Sequence, residues 1–169
     1  MKTKAFLDAK RIAYQAYQVE ETCDAQHLAA ALRVPGCHIA KTVLLRADSG
    51  FKYYLLVLSA CDTIDFAALS KMLGGANLRL ATELEISERC PDSELGILPP
   101  FGTRMAAETL VDEKLSQHED LFFRGDTHCE ALRIKYHDFV QLEHPTVLRA
   151  AQAAGAKTAC AKLAPMARL

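Results

Sequence analysis

The sequence predicts an α+β domain, a mixed and mostly antiparallel central sheet flanked by short helices. Three observations carry that prediction. The 169 residues, 50% hydrophobic and 24% charged, have the bulk of one ordinary globular domain. Two strand-length apolar runs, HIAKTVLLRA and KYYLLVLSA, flank a DSG turn, as the arms of a hairpin do. Further strands alternate with short helices over hairpin-length connections, and there is no GxGxxG or Walker loop to argue for a doubly wound sheet.

Taken in order, Phe6, Leu7, Ala9 and Ile12 have roughly helical spacing and predict an opening helix, followed by a strand near YQAYQV. Asp24 then caps AQHLAAALR, whose Leu28, Ala31 and Leu32 repeat at i, i+3 and i+4 until VPG stops the helix. After the hairpin, DFAALSKML is a helix closed by Gly74 and Gly75, and LRLA a brief strand. TELEISERC starts with a threonine cap and has glutamate in its first turn, where it complements the helix dipole. Between Cys90 and Arg104 the punctuation of Pro91, Gly96, Pro99, Pro100 and Gly102 forces irregular backbone, yet the segment is too apolar for a linker. ETLVD and LFF are short strands, and ALRIKYH alternates Leu132, Ile134 and Tyr136 against Arg133, Lys135 and His137. DFVQLEHP is a capped helical turn. Residues 1–144 are therefore read as the domain and 145–169 as a basic, alanine-rich helical extension, interrupted by Gly155 and Pro165.

The net charge of -1 conceals an asymmetry. Residues 1–144 carry -5, whereas Arg149, Lys157, Lys162 and Arg168 give the extension +4 with no acidic residue. Such a tail suits either a solvated helix end or contact with phosphate. The six cysteines, at 23, 37, 61, 90, 129 and 160, contain no CxxC pair and are read as reduced thiols. No stretch approaches the ~20 apolar residues of a membrane span, and MKTKAFLDAKRIAY lacks an apolar signal core, so a soluble cytoplasmic protein without a membrane partner is expected.

Lys41 is the first chemical anomaly. In a strand it shares a face with Ile39, Val43 and Leu45, while Ala40, Thr42 and Leu44 take the other. Either the strand end protrudes into solvent, or the lysine lines a pocket where desolvation lowers its pKa and its ammonium holds an anionic or polar group. The second is ELGILPPFG, whose Gly96 and Pro100 make a GxxxP loop: glycine admits close backbone approach, proline stiffens, and N–H groups so presented can bind a developing oxyanion. The third is FFRGDTHCEALRI, where Gly125 breaks a strand pair and His128 and Cys129 follow. Adjacent residues in an extended segment point to opposite faces, which argues against a Cys-His nucleophilic pair and leaves His128 as a pocket or surface group. The six histidines form no HxH or HExxH pattern, so no catalytic zinc is expected. Asp112 and Asp126, at strand-to-turn junctions, are read as turn residues ahead of general bases.

The ordered set AQHLAAALRVPGCHIAKTVLL, YYLLVLSACDTIDFAALSKMLG, GILPPFG and FRGDTHCEALRIKYHDFVQL resembles the YbaK family, the aminoacyl-tRNA deacylases related to the editing domain of bacterial prolyl-tRNA synthetases, over about residues 5 to 143. The resemblance implies a compact mixed sheet and a cofactor-free, metal-independent hydrolysis of the ester that joins a wrongly attached small amino acid to tRNA, with tRNA(Pro) a candidate. By position it implies Lys41 and Gly96 as catalytic, and Thr42, Leu98, Pro100, Gly125 and His128 as substrate-binding. His128 falls where some members place a residue that shapes amino-acid preference, although GDTHCEA departs from their local sequence. The implied partners are the acceptor end of a mischarged tRNA and an aminoacyl-tRNA synthetase. Two competing classes are a non-catalytic module that binds an aminoacyl or nucleotide ligand, and a thiol enzyme using Cys129 or Cys37, which has only composition behind it.

Overall fold

Phe6 and Leu7, both buried, turn the opening segment into an amphipathic helix, α1 (Thr3–Ala9). The computed structural model describes residues 1–20, 25–48 and 52–153. After α1 come β1 (Tyr14–Gln18), α2 (Ala25–Leu32), β2 (Ala40–Ala47), β3 (Tyr53–Ser59), β4 (Asp62–Ile64), α3 (Phe66–Met72), β5 (Leu78–Leu80) and α4 (Glu83–Arg89). The irregular stretch then leads to β6 (Glu108–Asp112), β7 (Asp120–Arg124), β8 (Glu130–Lys135), α5 (Tyr136–Glu143), β9 (Thr146–Leu148) and β10 (Ala151–Ala153).

The strands form a five-stranded sheet in the order β5-β2-β3-β6-β9, a three-stranded sheet β1-β8-β7 and a small pair β10-β4. β2 and β3 pair antiparallel, Ala40 opposite Ser59 and Arg46 opposite Tyr53, as the apolar runs around DSG predict; the turn at 49–51 lies outside the described residues. β3–β6 and β6–β9 are parallel and the other pairings antiparallel, so the sheet is mixed as expected. Every residue of β3 is buried, which explains its unbroken apolar run: packing on both faces leaves no polar side to alternate with.

Packing divides by face. On one side of the large sheet Ala40, Val57 and Val111 meet Leu121, Phe123, Leu132 and Ile134 of the three-stranded sheet, together with Phe6, Phe101 and Phe139. On the other, Leu45, Tyr54, Leu56, Leu58 and Leu110 pack against Leu69 of α3 and Ile64 of β4. Two helices have side-chain caps, and that of α4 is the threonine cap the sequence predicts. Asp65 accepts from the Ala68 N–H to start α3, and Thr82 with Glu85 makes a full capping box on α4. Glu85 also takes Arg79, Arg46 and Tyr53, and these partners hold its carboxyl well below the usual carboxylate range. The Asp24 cap of α2 lies outside the described residues.

Two expectations change. Alternation through ALRIKYH ends at Lys135, because Tyr136 opens α5 and packs its ring 5.9 Å from Phe139, one helical turn on. The start of the C-terminal segment is strand where its alanines predict helix: Thr146–Leu148 extends the large sheet beside β6, and Ala151–Ala153 pairs with β4. Asp112 fixes this path, its carboxylate accepting from the N–H groups of Ala150 and Ala151 at 3.0 Å each. Residues 145–153 thus complete the fold, and 154–169 lie outside the described residues.

Candidate active site

Lys41 is the second residue of β2 and is half-buried. The pleat sends it to the side of Val43 and Leu45, and its Nζ donates to the backbone carbonyl of Asp62, just past the end of β3. Burial pushes the ammonium below the ordinary lysine value, against the opposing pull of Asp62 and Cys61. The side chain is thus neither fully exposed at a strand end nor fully buried. Asp62, buried, uses its carboxylate for Lys114 at 3.1 Å, so two cations flank one short turn.

Thr42 points through the opposite face and donates its Oγ1 to the carbonyl of Leu98, inside the GxxxP loop. That loop is strongly anchored. Ile97, Pro99, Pro100 and Phe101 are buried, and the Phe101 ring lies 5.3 Å from Phe6 and 5.5 Å from Phe123. Gly96 is different: it is exposed, with φ of +81°, and a Cβ there would meet nothing within 4 Å. Glycine is needed at 96 for backbone conformation, and the space beside it is open. Among the described residues the N–H groups of Gly96 and Leu98 have no hydrogen-bond partner. Such N–H groups can take an oxyanion or a carbonyl oxygen.

His128 joins the same loop from the β7–β8 connection. Its N–H donates to the Glu94 carboxylate at 2.7 Å, and its Nε2 lies 3.1 Å from the Leu95 carbonyl, which accepts. Beneath it, the buried Asp126 accepts from the N–H and hydroxyl of Thr3 at 2.7 and 2.6 Å and from Ser93, while its carbonyl takes the Glu94 N–H. Asp126 is a junction between α1, the loop and the β7–β8 connection, as the turn reading expects. Gly125 is buried against Glu130, whose carboxylate would lie 2.1 Å from a Cβ, so close approach explains the glycine. The structure therefore gathers Thr42, Gly96, Leu98, Pro100 and His128 around one loop. Lys41 reaches them only through its neighbour Thr42, and Gly125 underlies the connection that bears His128.

Sequence reasoning missed Asp62, Lys114 and Glu94, which position Lys41 and His128 through contacts between distant chain segments. It also missed Cys37, His38 and His118, whose donor atoms lie within 4.8 Å of one another. Burial and the neighbouring His38 lower the pKa of His118. Cys37, Cys61, Cys90 and Cys129 are in no disulfide among the described residues, and Cys23 and Cys160 lie outside them. No helix among the described residues is long and apolar enough to cross a membrane.

The profile of the aminoacyl-tRNA editing domain matches residues 19–142. Proline–tRNA ligases from two strains of Xylella fastidiosa, Temecula1 and 9a5c, are 36% identical over 87 residues, 52% of this chain and 15% of theirs, so the chain spans a small part of those relatives. Among solved structures, a hypothetical protein superposes with a TM-score of 0.79 at 19% identity, over 90% of this chain and 100% of its own. A candidate trans-editing enzyme for prolyl tRNA synthetase gives 0.73 at 21%, over 83% and 87%. These two likenesses establish a shared fold. The profile covers most of the chain and includes the β2–β3 hairpin, the GxxxP loop and the His128 connection, and the chain belongs to the aminoacyl-tRNA editing domain family.

Proposed function

We propose that this protein is a trans-editing deacylase, which hydrolyses the ester between a small, wrongly attached amino acid and the 3' end of a tRNA, with tRNA(Pro) as the first candidate. The observation that carries the reading is the seating of a half-buried Lys41 beside Thr42, which is itself bonded to the Gly96–Pro100 loop. An aminoacyl ester is already activated, so the protein needs to position water and stabilise the tetrahedral oxyanion more than it needs a strong nucleophile. Lys41 would hold a phosphate of the terminal adenosine from its own side of β2, and the N–H groups at Gly96 and Leu98 the developing oxyanion. Water attacks the carbonyl carbon, the ester C–O bond breaks, and the ribose oxygen takes the proton. No metal or cofactor enters this scheme.

His128 and Leu98 would bound the amino-acid side chain, and a pocket of that kind rejects larger residues sterically while separating poorly those that fit. The body of the chain is acidic, so tRNA would be gripped locally near its acceptor end. The test is a panel of mischarged tRNAs, starting with tRNA(Pro) carrying alanine, cysteine or serine, each with wild type and Lys41→Ala. Release of one amino acid, lowered by at least ~10²-fold in Lys41→Ala while the variant keeps its circular dichroism spectrum, is the expected result. Equal rates in the two proteins would sink the mechanism. Turnover unchanged by a chelator is expected as well.

One observation favours a second reading, a binding module without turnover: the Lys41 ammonium sits on the Asp62 carbonyl, across β2 from the loop. Binding of a non-hydrolysable aminoacyl-adenosine analogue with no release anywhere in the panel is its signature.

A further inference from the structure

Cys37 and His38 belong to a single 3-10 turn, Gly36–His38, just ahead of β2, and His118 follows a second such turn, Leu115–Gln117, just ahead of β7. A parallel bridge between Ile39 and Phe122 draws these two segments side by side. The three side chains consequently converge: one thiol sulfur and two imidazole nitrogens lie within 4.8 Å of one another, all on half-buried residues. The imidazole rings sit 4.1 Å apart at a 36° tilt. Among the described residues, no side-chain hydrogen bond or ion pair occupies the ring nitrogens of His38 or His118. Two half-buried imidazoles without polar partners among the described residues thus face the Cys37 thiol.

We propose that Cys37, His38 and His118 bind a late first-row divalent cation, with zinc as the natural occupant. A thiolate with two imidazoles is a borderline-soft set that suits zinc and its neighbours and gives magnesium or calcium no oxygen to hold. Metal–sulfur and metal–nitrogen bonds of about 2.3 and 2.0–2.1 Å put tetrahedral donors roughly 3.3–3.6 Å apart, within reach of small side-chain rotations from the present spacing. On binding, the Cys37 thiol gives its proton to solvent as the metal–sulfur bond forms, and the imidazoles contribute lone pairs with no change of oxidation state. Three protein donors leave a fourth position for water. The site shares no residue with the Lys41, Thr42 and Gly96 machinery, and it would clamp the entry of β2 to the entry of β7.

The test uses the full chain, reduced and stripped of metal, titrated with Co²⁺ alone. One equivalent is expected to bind and to produce near-ultraviolet thiolate-to-cobalt charge transfer with the intense visible bands of a tetrahedral ion, and Zn²⁺ is expected to displace it. Cys37→Ser is expected to lose the charge-transfer band, and His118→Gln to bind at least ~10-fold more weakly. Zn²⁺ is expected to raise the melting temperature of the wild type and to leave that of His118→Gln nearly unmoved. An aquo-like cobalt spectrum, a band of full strength in Cys37→Ser, or equal melting shifts in the two proteins would each overturn the site.

Discussion

Lys41 carries a conflict between folding and chemistry that can be measured. Its pKa is lowered in the folded chain, chiefly because burial disfavours the charged form. With a folded pKa below the unfolded one, the unfolded state binds more protons across the interval between them, so stability rises as pH climbs through it. At neutral pH the ammonium is therefore a cost to the fold, and Lys41→Met should be more stable than wild type. The advantage should shrink as pH rises into the lysine range. Urea denaturation of both proteins at neutral and alkaline pH checks this, and a variant less stable at pH 7 would show that the Asp62 carbonyl more than offsets the desolvation. Turnover should decline with rising pH as this lysine loses its proton, at a midpoint below that of an exposed lysine. The anomaly was legible in the sequence because strand alternation put a cation in line with Val43 and Leu45. Its partner was not, since the Asp62 carbonyl is supplied by the chain after β3 and leaves no trace in composition.

At the scale of elements, the GxxxP loop is held at its ends and open at its glycine. Gly96→Ala places a Cβ on a residue at φ +81°, with no steric neighbour to complicate the reading. The left-handed conformation alone should cost about 1–2 kcal/mol, and a backbone that relaxes away from it should lower turnover by far more than the stability loss implies. Thermal melts set against single-turnover rates separate the two effects. Asp126 works from beneath, and Asp126→Ala leaves the Thr3 and Ser93 donors without their carboxylate. A loss of about 3 kcal/mol in urea denaturation is expected, of the order of a charged hydrogen bond made at a buried site. The β2–β3 hairpin, α3 and α4 were legible because each is specified locally, by apolar runs around a turn or by a cap. β9 and β10 were not, because alanine favours helix in isolation and these strands exist through pairing with β6 and β4. The His128 contact with Leu95 escaped for a related reason: two loops meet through backbone groups that any residue possesses.

For the molecule as a whole, the pairing of β9 and β10 divides the basic C-terminal segment into a part that belongs to the two sheets and a part outside the described residues. Arg149 belongs to the first part and pairs with Glu113 at 2.6 Å, while Lys157, Lys162 and Arg168 belong to the second. Ending the chain before Thr146 removes a strand from each of two sheets, together with the N–H donors that Asp112 holds. That protein should be markedly destabilised, and any loss of activity would say nothing about tRNA. Ending it after Ala153 keeps every described strand and removes three cations from a chain whose remainder is acidic. If those cations meet tRNA phosphates, each releases condensed counterions, and the slope of log K against log salt should fall by about 2–3 when all three are deleted. Binding of mischarged tRNA to the full chain and to residues 1–153, measured between low and physiological salt, decides the matter. Equal slopes with equal deacylation would assign recognition to the folded body alone, and would turn attention to Lys114 beside Asp62 as the next phosphate contact to remove.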